Sequence, residues 1–254
     1  MKTYLSLGAG VDTTAILLMP DIMRQIDFVM FADTGSENPE TYSYLEKYIK
    51  PYLEKIRRPL VVVKGEENVK GVVKTNMEAA YLGWKIIPVR FLRHCTDKWK
   101  IKPMHRYLTE HYPGEMLKVV IGFAYDEIQR VNSTRWKDQE VWYPLIEKKM
   151  TRDDCVRYII SKGFPVPPKS GCFYCPFQRL DQWKELRFKH PDLWQRAVNM
   201  EKNGSNYPHM TLSNFKKDQQ PMTLEEVDKK LGKSLYDFDA DPPNDEECSG
   251  ACMT

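Results

Sequence analysis

Three groups of residues combine types and spacings that can do chemistry. The stretch Ser6-Leu7-Gly8-Ala9-Gly10-Val11-Asp12-Thr13-Thr14 joins two apolar runs and supplies two glycines, three hydroxyls and one carboxylate. A glycine turn feeding a helix start aims several N–H groups and a positive dipole end at one point, which suits phosphate. A carboxylate in that turn, Asp12, suits a divalent cation bridging phosphates. In Cys172-Phe173-Tyr174-Cys175 two thiols stand across a tight turn and can clasp one metal. Near the end of the chain, Cys248 and Cys252 follow a run of aspartates and glutamates. A thiol on a mobile arm can react at a nucleotide and withdraw to be reduced, although neighbouring carboxylates raise its pKa.

The elements that must position these groups follow from hydrophobic period and turn chemistry. An apolar strand precedes the glycine turn and an apolar helix follows it. Residues 26–31 form a second strand that ends in Ala32-Asp33-Thr34-Gly35, and residues 39–56 form an amphipathic helix in which Tyr42, Leu45, Tyr48, Ile49 and Tyr52/Leu53 recur at helical spacing. Residues 59–63 form a third strand. This alternation predicts a parallel sheet with right-handed crossovers, whose carboxyl edge faces the ligand crevice. Residues 65–94 are less periodic and rich in lysine and arginine, and are expected to lie over the site as a long, partly mobile segment, a candidate lid. Residues 116–122 form a fourth strand and residues 141–146 an edge. Thr151 caps a helix that Gly163 ends, prolines 165, 167 and 168 stiffen the approach to Cys172, and a helical pair follows over 180–200, broken at His190-Pro191.

Bulk properties narrow the class. Hydrophobic residues make up 42% of the chain and charged residues 29%, which are the proportions of a soluble globular protein. The net charge of +3 does not by itself imply nucleic acid, although Arg90, Arg93, Lys98, Lys100, Lys102 and Arg106 cluster locally. No apolar run approaches the roughly 20 residues that span a bilayer. Asp12 interrupts the first apolar run, so no secretory signal is expected and the chain is placed in the cytoplasm without membrane association. In a reducing compartment the six cysteines point to metal or catalytic thiols rather than disulfides.

The motifs resemble one superfamily in order. The loop at 6–14 is similar to the pyrophosphate loop of the N-type ATP pyrophosphatases and to the related turn of the PAPS reductases. Asp33-Thr34-Gly35 followed by Asn38-Pro39-Glu40-Thr41-Tyr42 resembles a PAPS reductase segment. His94-Cys95 through Lys100-Ile101-Lys102-Pro103 resembles a stretch shared by APS and PAPS reductases, with one cysteine where cluster-bearing APS reductases have two. Gly122, Asp126 or Glu127, and Arg130 fit a further family segment, in which Ala124 replaces an arginine suited to sulfate or phosphate. The chain is thus identified as a member of the adenine-nucleotide α-hydrolase-like superfamily, PAPS reductase/N-type ATP pyrophosphatase branch.

That resemblance implies an α/β fold: a Rossmann-like, HUP-type, mostly parallel five-stranded sheet with a helical C-terminal lobe. It implies a nucleotide-binding domain over 1–165, a CxxC knuckle with the helical lobe over 166–235, and an acidic cysteine-bearing tail over 236–254. The nucleotide would contact Ser6, Leu7, Gly8, Gly10, Asp12, Thr13 and Thr14, then Asp33, Thr34 and Gly35, and also Lys100 and Gly122, with Asp12, Asp126 and Arg130 in catalysis. Cys95 joins Cys172 and Cys175 as a metal ligand. Cys155 is either the fourth ligand or a core residue beside Ile159. The metal is a 4Fe–4S cluster, with a structural zinc as rival.

Two activities are implied. One uses ATP and Mg²⁺ to adenylate an acceptor for sulfur transfer, the acceptor being a nucleic acid whose backbone meets the basic residues 90–106. The other is a PAPS or APS reductase, in which Cys248 attacks the sulfate and sulfite follows. A nucleotide-binding subunit of a modification complex is a third reading. A sulfur donor or redox protein would be the partner, and the oligomeric state is open.

Overall fold

The computed structural model describes residues 1–90, 92–131, 139–204, 206, 210–213, 215–217 and 220–232. Strand β1 (Lys2–Leu7) leads through the glycine turn to helix α1 (Val11–Leu17), then α2 (Pro20–Met23) and β2 (Phe28–Asp33). Helix α3 (Pro39–Tyr44) passes through a π turn at Leu45–Ile49 into α4 (Lys50–Lys55), and β3 (Leu60–Lys64) follows. A hairpin of β4 (Glu67–Val69) and β5 (Val72–Lys74) precedes α5 (Met77–Trp84). Next come α6 (His94–Thr96), a π turn at Asp97–Ile101, α7 (Lys102–His111) and β6 (Leu117–Val120). A 3₁₀ turn at Tyr125–Arg130 is followed by β7 (Gln139–Trp142), α8 (Pro144–Glu147) and α9 (Arg152–Ser161). Helices α10 (Leu180–Lys189), α11 (Pro191–Asn203) and α12 (Leu224–Lys230) complete the described chain, with a short pair of β8 (Lys216–Lys217) and β9 (Gln220–Pro221) between the last two.

The main sheet has the order β3-β2-β1-β6-β7, and every neighbouring pair is parallel. Both faces are covered, as a parallel sheet requires, and the side chains sort by period two. Leu5, Leu7, Val29, Phe31 and Val120 point into a core with α1, α2, α4 and α9. Tyr4, Phe28, Met30, Ala32 and Val119 point to the other face, where Met104 and Leu108 of α7 pack. A third core gathers α10, α11 and α12 around Trp183, Trp194, Phe173 and Tyr174, and it also takes in Val69, Met77, Tyr81 and Trp99.

That last group corrects the expectation for residues 65–94. Its described residues form a hairpin and a helix rather than irregular chain. Lys70 and Gly71 both take positive φ, 52° and 85°, and close a two-residue hairpin whose Val69 is buried. Helix α5 is capped by the side chain of Asn76, which accepts a hydrogen bond from Ala79 N–H at 3.1 Å. Three further hydrogen bonds fasten the segment to the turn after β2. Asn76 Nδ2 donates to Gly35 O (2.6 Å), Met77 N to Thr34 O (3.1 Å) and Glu78 N to Ser36 Oγ (3.3 Å). The missing apolar period reflects a short hairpin with Val72 and Val73 exposed, followed by a helix whose Met77, Ala80 and Tyr81 enter the lobe core.

Candidate functional site

The turn after β1 is closely packed. Ser6, Leu7, Ala9, Gly10, Val11, Asp12, Thr13 and Thr14 are buried, and Gly8 is half-buried. The Leu7 side chain belongs to the sheet core, so only its backbone is available to a ligand. Ala9 holds the left-handed conformation at φ 55°, a strained state for an alanine of the kind found at functional turns. Gly10 precedes the helix, and its carbonyl accepts from Thr14 N (3.0 Å) and from the Thr13 hydroxyl (3.3 Å).

Asp12 is the electrostatic centre of this neighbourhood. Its residue is only 1% exposed, Oδ2 faces Arg152 Nη1 at 3.5 Å, and Oδ1 has no hydrogen-bond partner among the described residues. Burial pushes its carboxyl up to about 6; Glu127 and Asp126 push the same way, while Arg152 and Arg130 pull it down. Asp126 accepts the backbone N–H of Arg152 (3.2 Å), and Arg130 pairs with Glu127 at 2.7 Å while stacking over Phe123 at 3.9 Å. The structure therefore brings Asp12, Asp126 and Arg130 together. Ala124 is fully buried, so the arginine that the motif carries there could not be housed without rearrangement.

Gly122 has a packing role in this arrangement. A Cβ at this position would stand 2.8 Å from Thr13 Cγ2, 3.1 Å from Thr13 N and 3.3 Å from the Asp12 carbonyl carbon. The bare backbone lets the end of β6 lie against the first residues of α1. Gly122→Ala should lower stability by about 1–3 kcal/mol, read as a fall of several degrees in Tm, because two of the three atoms met are backbone and cannot yield.

At the end of β2, Asp33 Oδ1 accepts from Gly35 N (2.8 Å) and from the Tyr42 hydroxyl (2.6 Å), which closes the turn at Gly35 (φ 69°). Burial and the Asp33 carboxylate raise the Tyr42 phenol. Thr34 donates to the buried Glu37 carboxylate (3.2 Å), which also meets Lys100 Nζ at 3.2 Å. Glu37 is a site residue that the sequence did not mark, since one glutamate after a turn carries no periodic or motif signal. Arg152 is another: it lies 140 positions from Asp12 and only the fold joins them.

The thiols occupy the adjoining part of the same carboxyl edge. Glu37 and Cys172 form an antiparallel bridge, flanked by Asn38 N to Gly171 O (2.9 Å) and Phe173 N to Ser36 O (3.1 Å). Cys175 N donates to Cys172 O (3.0 Å), which folds the knuckle. Cys95, Cys172 and Cys175 line one cavity of about 110 Å³ together with Thr34, Glu37 and Lys100. Cys155 does not join them. It is fully buried in the core between α9 and α1 beside Ile159, and burial pushes its thiol up to about 12. Of its two expected places, beside the knuckle or in the core next to Ile159, the structure shows the core. Among the described residues, no three His, Cys, Asp or Glu side chains are drawn tightly enough together to form a metal shell. The remaining catalytic expectation, Cys248, falls outside the described residues.

A family model for the phosphoadenosine phosphosulfate reductase domain matches residues 2–168. The chain belongs to this family. The match covers β1 through α9, with the turn after β1, the Asp33 turn, Cys95, Lys100, Asp126, Arg130 and Arg152, and it ends before Cys172 and Cys175. Two uncharacterized proteins of Methanocaldococcus jannaschii are similar over 77% of the chain. One, MJ0066, is 25% identical over 215 residues, and the other, MJ0973, is 23% identical over 211 residues. The chain spans 40% and 46% of their respective lengths. Among the described residues no helix is long and apolar enough to cross a membrane.

Proposed function

We propose that this family member is an ATP pyrophosphatase-type enzyme that adenylates an acceptor for sulfur transfer. The observation that carries the reading is Asp12: a buried carboxylate with one oxygen unpartnered among the described residues, on the turn where the phosphate chain would lie. A hard oxygen donor of this kind fits Mg²⁺, which binds through one or two carboxylates plus the phosphates themselves. The ion would neutralise charge developing on the β- and γ-phosphates. Ser6, Gly8, Gly10, Thr13 and Thr14 would supply the turn around those phosphates, with Asp33, Thr34 and Gly35 at the neighbouring strand end. An acceptor oxygen attacks the α-phosphorus, pyrophosphate leaves, and a sulfur nucleophile then displaces AMP.

Cys95, Cys172 and Cys175 fit a soft metal in donor type and share one cavity, although they do not stand as a finished shell. They would hold a 4Fe–4S cluster through three thiolates, with zinc as the rival occupant. When bound, the cluster supplies an open iron able to carry sulfur. The acceptor on this reading is a nucleic acid that meets Arg90, Arg93, Lys98 and Lys102. Arg90 and Arg93 both face the Phe177 ring, at 4.9 and 5.2 Å, beside the thiol cavity.

A second reading, reduction of PAPS or APS, is favoured by the matching domain itself and by Glu247-Cys248-Ser249-Gly250 near the end of the sequence. The two part on one experiment. The chain truncated after Ala240 should release pyrophosphate from ATP at the full-length rate and form no sulfite from PAPS in either form. Sulfite released by the full chain and lost on truncation, without pyrophosphate from ATP, would establish the reductase instead.

A further inference from the structure

Arg152 has no place in the motifs, yet it stands closest to the chemistry proposed for Asp12. Its main chain is fixed. It is the first residue of α9, beneath the reciprocal Thr151–Asp154 cap, and its N–H donates to Asp126. Its side chain is less constrained, 36% exposed, with Nη1 reaching Asp12 Oδ2 at 3.5 Å. A charge-assisted hydrogen bond at full strength is about 2.7–2.9 Å, so this contact is loose. The other guanidinium nearby, Arg130, is committed to Glu127 and to the face of Phe123.

The charge balance points the same way. Among the described residues, three carboxylates (Asp12, Asp126 and Glu127) face two guanidiniums here, and Asp12 feels the other four charges. A polyphosphate brought beside this group is repelled unless a cation meets the carboxylates and a guanidinium turns to the phosphates. We infer that Arg152 is a phosphate-binding residue: it rests loosely on Asp12 and transfers to the phosphate chain of a nucleoside triphosphate, freeing Asp12 for the divalent cation. This rests on the nucleotide reading above and adds to it the residue that counts phosphates. Movement of one half-exposed side chain on a fixed helix start is sufficient, and a planar fork suits two phosphate oxygens.

The test is calorimetric titration of the full chain with MgATP, MgADP, AMP and adenosine. The unaltered protein should bind more tightly as phosphates are added. Arg152→Gln should weaken MgATP by about 10- to 100-fold, the range of a lost hydrogen bond between charged groups, and leave adenosine within about two-fold. Arg152→Lys should restore part of the MgATP affinity. Unchanged MgATP binding in Arg152→Gln, or equal losses for MgATP and adenosine, would overturn the assignment while leaving the nucleotide site standing. Absence of any nucleotide binding by the unaltered chain would overturn both.

Discussion

Asp12→Asn is expected to cut pyrophosphate release from ATP by at least about 100-fold, the scale of losing a metal-positioning carboxylate, while raising the melting temperature. The two halves have one cause. Asp12 is buried with one oxygen unpartnered among the described residues, and its carboxyl is pushed from an ordinary 3.8 up to about 6. A folded-state pKa above the unfolded one means that the folded chain binds the proton more tightly. Between pH 3.8 and about 6 the folded state therefore holds more protons, so stability falls as pH rises through that window and stays low above it. The charged carboxylate costs the fold on the order of 3 kcal/mol at neutral pH. Asparagine removes the charge but leaves an amide donor without an acceptor, which returns about 1–3 kcal/mol. The net gain should be about 1 kcal/mol, or some 2–4 °C in Tm for a chain of this size. Thermal melts in EDTA, without nucleotide, at pH 5 and pH 8 check this: the gain should shrink at pH 5. A variant that keeps its pyrophosphate release would remove Asp12 from the site. One that melts lower at pH 8 would show that Asp12 is a structural ion-pair partner of Arg152.

Much of this arrangement was legible from residues near one another in sequence. The β1 turn, the Asp33 turn, the Thr151 cap and the break at His190-Pro191 all depend on local chemistry, and each stands where its residues place it. What was not legible depends on contacts across the fold. The hairpin at Lys70-Gly71 escaped because lysine is an uncommon first residue for a turn with two positive φ angles. Helix α5 escaped because it is buried against both the Gly35 turn and the tryptophan-rich lobe, so no single polar stripe marks it. Arg152 and Glu37 are ordinary surface types in an ordinary sequence context, and their neighbours Asp12 and Lys100 are remote in the chain. The glycine at 122 was legible as a motif position, but the close approach of the α1 backbone that it permits was not, because that contact is made across the fold.

The cysteines offer the sharpest division between sequence and fold. Changed one at a time to serine, Cys172 and Cys175 are expected to abolish metal retention. Cys95→Ser should reduce it strongly, and Cys155→Ser should leave it untouched while lowering Tm. The first three thiols open onto one cavity beside Lys100 and Glu37. Serine is close to cysteine in size, and the knuckle is held by backbone bonds from Cys175 N to Cys172 O and from Phe173 N to Ser36 O. The turn should therefore survive the substitution while the thiolate, the ligand that a soft metal requires, is lost. Cys155 lies in an apolar core, where its thiol is held protonated by burial. A hydroxyl there has no partner in prospect and should destabilise by about 1–3 kcal/mol. Iron and zinc analysis of anaerobically purified protein, with absorbance near 400 nm for thiolate-bound iron, reads all four variants at once. Iron with a brown colour in the unaltered chain supports the cluster, and zinc without colour would give the cavity a structural role. Metal lost in Cys155→Ser but kept in Cys95→Ser would reverse the placement of the third thiolate and would require the knuckle to face α9 rather than α6.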